Sequence, residues 1–167
     1  KFIDRTDISK FKELNKAEII RKAIYGLVSV KNYDLIKISE IDKNIETLSN
    51  QNLLKYYNCD AIITGEILKF QNNDFISYSN TTVELILNLT DKRDEILWSS
   101  HYSGSNSDGS IPFSPVSLIT GIFQVALNDK NETALQVVDM VTRKIIVSLP
   151  EKEIILKNQF ASIEQNK

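Results

Sequence analysis

From Thr82 to Thr90 apolar and polar residues alternate: Val83, Leu85, Leu87 and Leu89 stand against Thr82, Glu84, Asn88 and Thr90, with Ile86 alone spoiling the polar side. A period of two belongs to a strand, because successive side chains point to opposite faces of a sheet. One face is then buried and the other wet, which is the signature of an antiparallel sheet covered on one side. The flanking residues extend the pattern. Asp91-Lys92-Arg93-Asp94 reads as a turn, and Glu95-Ile96-Leu97-Trp98-Ser99-Ser100-His101-Tyr102 returns as a strand. Upstream, residues Ala61–Phe70 are nearly all apolar, as in a strand buried on both faces, and Gln71-Asn72-Asn73-Asp74 is a turn signal. Residues 60–102 therefore predict a three-stranded meander.

An apolar sheet face needs helices to cover it. From Phe11 onward, Leu14, Ala17, Ile20, Ala23, Ile24, Leu27 and Val28 fall at helical spacing, with Lys16, Glu18, Arg21 and Lys22 off the stripe and Asn32 as a stop. Near the other end Ala134, Leu135, Val138, Val141, Ile145 and Leu149 form a second stripe, capped by Asn128 or Asp129 and ended by Pro150. Between the first helix and the meander, Tyr33–Ile38 reads as a short strand. Ser39 and Asp42 have capping-box spacing ahead of a helix with Ile41, Ile45 and Leu48 inward. Ser49-Asn50-Gln51-Asn52 breaks that helix before Leu53, and Asn58 ends the segment. Residues 103–115 read as a polar loop closing on Ile111-Pro112-Phe113-Ser114-Pro115, and Val116–Leu127 as a helix. The fold class is α/β (α+β): a single domain, with a mixed, largely antiparallel sheet and helices packed on it. Residues 1–150 form that domain, and 151–167 a tail suited to docking on a partner.

Composition removes several functions. With 167 residues, 42% hydrophobic and 25% charged, the chain is globular and long enough to bury a core without metal or disulfides. A formal net charge of -2 leaves no surplus of cations for a phosphate backbone, so no nucleic-acid partner is expected. One Cys (Cys59) and one His (His101) fall short of a zinc ligand set, and no EF-hand-like acid run occurs, so neither metal nor cofactor is expected. Gly104 and Gly109 lie in Ser103-Gly104-Ser105-Asn106-Ser107-Asp108-Gly109-Ser110, which lacks the Lys of a phosphate loop. No apolar run approaches the roughly 18 residues of a membrane span. No signal peptide is read, and the opening at Lys1 rather than Met indicates a trimmed or mature form that has lost any targeting segment.

Few residues offer chemistry. A Cys59–His101 nucleophile pair has no support in spacing. Ser9 and Lys12 have S-x-x-K spacing without the companion motifs of that enzyme class. Glu66, on the apolar strand, is either a satisfied edge group or a contact at a subunit interface. The sequons at Asn80, Asn88 and Asn131 are expected by chance in an Asn-rich chain. Phe113, between Pro112 and Pro115 and beside Ile111, is a rigid apolar tip of the kind that anchors a partner or closes a core. Trp98 reads first as a core residue. Together with Tyr102 on its strand and Tyr78 on a neighbour, it also makes a case for glycan contact.

Asp60-Ala61-Ile62-Ile63-Thr64-Gly65-Glu66-Ile67 resembles the "DA-apolar-apolar-x-G" strand of the CsgG-like outer-membrane lipoproteins, the superfamily of the curli secretion, Pel polysaccharide and penicillin-binding-protein activator lipoproteins. Val83–Asp91 is similar to their "V-x-L-x-L-x-x-x-D" strand, Glu95-Ile96-Leu97-Trp98 to their "E-x-L-W" strand, and Asp108–Pro115 to a "DGGIPLSP" loop. The usual opening strand ending in "LPF" has only Phe2-Ile3-Asp4 as a remnant, and no long membrane-inserting hairpin is present. The resemblance implies a non-enzymatic periplasmic domain of a Gram-negative bacterium, anchored at the outer membrane through a lipid on an upstream Cys other than Cys59. It also implies homo-oligomers that work with other envelope or export proteins. The alternative is a module binding envelope polysaccharide or peptidoglycan. The interaction residues on either reading are Ile111, Pro112, Phe113, Pro115, Trp98 and Tyr102.

Overall fold

The computed structural model describes residues 2–6, 15–74, 79–107 and 132–155. Its elements are β1 (Phe2–Asp4), α1 (Lys16–Ser29), α2 (Ile38–Ile41), α3 (Asn50–Tyr56), β2 (Ala61–Asp74), β3 (Ser79–Asp91), β4 (Ile96–Ser107) and α4 (Glu132–Val147). The sheet has the order β1-β2-β3-β4. β1 runs parallel to β2, and the remaining pairs are antiparallel. The expected mixed, largely antiparallel sheet with helices on it is therefore present.

The alternation of β3 sets the layers. Val83, Leu85 and Leu87 are fully buried and Leu89 nearly so, whereas Glu84, Ile86, Asn88 and Thr90 are half-buried on the opposite face. The buried set joins Ile20, Ile24 and Val28 of α1 and Val138, Val141 and Ile145 of α4 in one core. Each such side chain stabilises the fold by roughly 1.5–3 kcal/mol relative to exposure. Exposed ion pairs contribute roughly 0–1 kcal/mol each, so the covered face holds the molecule together.

Two strands run further than the sequence reading. β2 continues through Gln71–Asp74, which pair with Thr82, Thr81, Asn80 and Ser79 instead of turning. β4 continues to Ser107, with Ser103, Gly104 and Ser105 opposite Glu84, Val83 and Thr82. The ladder with β3 satisfies the backbones of these polar residues. β2 is also not buried on both faces: Ile62, Thr64 and Glu66 are half-exposed. Its apolar look comes from a bulge between Ile67 and Lys69, which resets the phase so that Ile67 and Phe70 both face inward.

Two glycines mark close approach. A Cβ at Gly104 would lie 2.5 Å from Met140 Cε and 2.8 Å from Val141 Cγ2, so α4 crosses the sheet there. A Cβ at Gly65 would lie 2.3 Å from Phe2 Cε1, so the ring of β1 sits over β2. The remnant Phe2-Ile3-Asp4 is thus a real strand, in register with Gly65, Glu66 and Ile67.

The 33–58 region corrects other expectations. Tyr33–Lys37 is not part of a strand and pairs with none among the described residues. β1 holds the place beside β2, and the Tyr33 hydroxyl instead donates to Pro150 O at 2.5 Å. Ser39 caps nothing, because α2 already starts at Ile38 and stops at Ile41. Ser49 opens a helix rather than ending one: its Oγ accepts from Asn52 N at 3.2 Å as the N-cap of α3. Asn32 and Asn58 end their segments in the left-handed region, at φ 58 and 50. The whole predicted inner stripe of α4 is buried, with Leu149 beyond its end. The proposed caps Asn128 and Asp129, the Val116–Leu127 helix, Ser9 and Lys12 lie outside the described residues.

Candidate interaction surface

The sheet has one face under α1 and α4 and one face without a helix on it among the described residues. Register places the side chains of the uncovered face in rungs. Thr64, Asn88 and Ser99 share one rung, Glu66, Ile86 and His101 the next, then Lys69, Glu84 and Ser103, then Gln71, Thr82 and Ser105. The β2 and β3 members are half-buried except the exposed Gln71, and the β4 members are exposed. The surface is one of hydroxyls and amides with scattered isoleucines, Ile96 being 63% exposed. Two of its carboxylates are paired: Glu66 meets Arg5 Nε at 2.8 Å, and Glu84 meets His101 Nε2 at 2.8 Å. Glu66 is therefore a satisfied group that ties the residue after β1 to β2.

Among the described residues β4 is an edge strand. From Ile96 to Ser107 it carries no Pro, Lys, Arg, Asp or Glu. Those are the residues by which edge strands are usually protected against strand addition. The turn leading into β4 is rigid. Asp91 is 3% exposed, and its Oδ1 accepts from the amides of Arg93 at 2.7 Å and Glu95 at 3.0 Å. Burial alone would raise its pKa, but those amides and the Arg93 guanidinium outweigh burial and hold the carboxyl below the usual range. Gln51 of α3 clasps the same turn, donating to Asp91 O at 3.2 Å and Asp94 Oδ1 at 2.5 Å.

The chemistry-bearing residues do not converge. His101 lies on the rung of Glu66, whereas Cys59 precedes Ala61 at the far end of β2. At about 3.3 Å per residue and 4.8 Å per strand, they are on the order of 25 Å apart. Burial, with Asp60 adding, pushes the Cys59 thiol up, away from the reactive thiolate. Among the described residues no three His, Cys, Asp or Glu side chains group to hold a metal, and no helix is long and apolar enough to cross a membrane.

Trp98 opposes Leu89 and Tyr102 opposes Leu85, so both rings lie on the covered face. Trp98 is 9% exposed, and Tyr102 packs partly buried against the core. Ile111, Pro112, Phe113, Pro115 and Tyr78 lie outside the described residues. The exposed residues of β4 were not singled out by the sequence reading. The signal for them was parity: residues an odd number from Trp98 face away from Leu89 once the turn at Asp91–Asp94 is placed.

No family model matches the sequence, and no curated protein matches it. Solved structures do share the fold. Lipoprotein GNA1162 from Neisseria meningitidis is similar with a TM-score of 0.55 and 16% identity, over 76% of this chain and 94% of that one. The hypothetical protein CT253 from Chlamydia trachomatis is similar with a TM-score of 0.55 and 12% identity, over 87% and 90%. A PelC dodecamer from Paraburkholderia phytofirmans gives a TM-score of 0.48 and 11% identity, over 84% and 80%. The chain thus shares its fold with a bacterial lipoprotein, GNA1162.

Proposed function

We propose that this chain is a non-enzymatic domain of a CsgG-like envelope lipoprotein. In this reading it is periplasmic, anchored at the outer membrane by an upstream lipid, and self-associates to scaffold an export or envelope-assembly machine. The observation that carries self-association is the β4 edge, which has no paired strand among the described residues and carries no Pro or charged residue to deter one. The fold shared with lipoprotein GNA1162 supports an envelope role, and the separation of Cys59 from His101 supports binding rather than bond breaking. The glycan alternative gains nothing from Trp98 and Tyr102, whose rings are engaged by the core.

Light scattering over a concentration series tests the proposal. The chain should form a discrete oligomer. Replacing Ser103 and Ser105 together with Lys, at exposed positions on that strand, should give monomers of unchanged circular dichroism. A chain that stays monomeric at high concentration would refute the scaffold reading.

A further inference from the structure

Among the described residues the sheet has two edges, and they are unequal. β4 offers 12 residues, Ile96–Ser107, whereas β1 at the other edge offers 3, Phe2–Asp4. Strand direction sharpens the difference. β1 runs parallel to β2, and the two antiparallel steps through β3 make β4 parallel to both. A head-to-tail contact, with β4 of one copy on β1 of the next, is therefore a short parallel pair. A contact of β4 with the β4 of a second copy is antiparallel and runs along most of the strand. Antiparallel pairs are the more stable per residue, and the longer ladder satisfies more backbone groups. Charge favours the same contact. A strand paired with its own copy brings like charges together, which is destabilising. β1 carries Asp4, β2 carries Glu66 and Lys69, and β3 carries Glu84 and Asp91, but β4 carries no Lys, Arg, Asp or Glu.

We infer that two copies of the chain join β4 to β4, antiparallel, about a two-fold axis perpendicular to the sheet. This rests on the self-association through β4 proposed above and specifies its symmetry. Such an axis keeps the helices of both copies on one side of a continuous sheet. Residues that face each other across an antiparallel pair point to the same face, so the axis passes through a residue position rather than between two. The strand is irregular at Leu97, where the register with β3 shifts. Along the regular stretch from Trp98 to Ser107, overlap is greatest with the axis at Tyr102 or Ser103. An axis at Tyr102 also sets that ring beside its own copy, and aromatic pairs across strands are stabilising.

Spin labels test the symmetry. In a chain carrying Cys59→Ser, single cysteines replace Ser99, His101, Ser103 or Ser105, all exposed on the uncovered face, and each is labelled. Electron spin resonance then measures the separation between equivalent labels in the oligomer. About a two-fold axis, that separation changes twice as fast as the position along the strand. It should be smallest at His101 and Ser103 and about 12 Å larger at Ser99 and Ser105. A separation that is equal at the four sites, or that changes steadily from Ser99 to Ser105, is the mark of a head-to-tail contact and overturns the inference while leaving self-association in place. Oligomers by light scattering with no coupling between labels overturn it in the same way. Monomers by light scattering, with no coupling at any site, overturn the self-association as well.

Discussion

β3 presents two faces that differ only in the parity of the residues, yet they do different work. On one side Leu85 and Leu87 are fully buried under α1 and α4; on the other Glu84 and Ile86 remain half-exposed. The covered face is dense, and two glycines on it leave no room for a methyl group. The uncovered face tolerates Thr, Ser, Asn and Ile side by side, because little there depends on fit. Stability is thus concentrated on one side of a single sheet. On the proposed function, recognition falls to the other side and to the β4 edge.

Mutation can sharpen or break that contrast. Leu87→Ala should cost about 3–5 kcal/mol, the range for a buried leucine that leaves a cavity. Ile86→Ala, one residue away, should cost less than about 1 kcal/mol. Urea denaturation of both variants measures the difference, and equal losses would break the comparison. Gly104→Ala should cost about 1–3 kcal/mol, because its Cβ would press on Met140 and Val141. Ser105→Ala on the opposite face should be neutral.

Asp91→Ala should cost about 2 kcal/mol at neutral pH through loss of three hydrogen bonds to a carboxylate. Its sign with pH is fixed. The folded carboxyl sits below its ordinary value of about 3.9, so the unfolded chain binds protons first. The contribution is therefore full above that value and fades as pH falls through the folded pKa. Thermal melts at pH 7 and below pH 3 should show the gap between the unaltered chain and the Asp91→Ala variant narrowing in acid. The smallest effect belongs to the open face: Glu84→Gln removes the exposed pair with His101 and should change stability by less than about 0.5 kcal/mol.

The same contrast explains what the sequence made legible. The core face of β3 and the stripe of α4 were readable because burial demands a period, and Val83 to Leu89 and Ala134 to Leu149 keep it. The ends of β2 and β4 were not. Gln71–Asp74 and Ser103–Ser107 have turn composition, and only pairing with β3 makes strands of them. Gly104 read as a flexible loop residue, whereas its role is to admit α4. The 33–48 segment misled for a related reason. Its isoleucines line a cavity rather than repeat along one element, so neither period described them. The interaction surface was the least legible part. Aromatic Trp98 and Tyr102 face the core, and the exposed serines of β4 are marked only by their parity with Trp98.

Hydrogen exchange of the β4 amides as a function of protein concentration tests the central claim most directly. If that edge is where copies meet, amides between Ser99 and Ser105 that point away from β3 should become protected as concentration rises, while those of β2 stay constant. Exchange in β4 that is fast and independent of concentration would contradict the account.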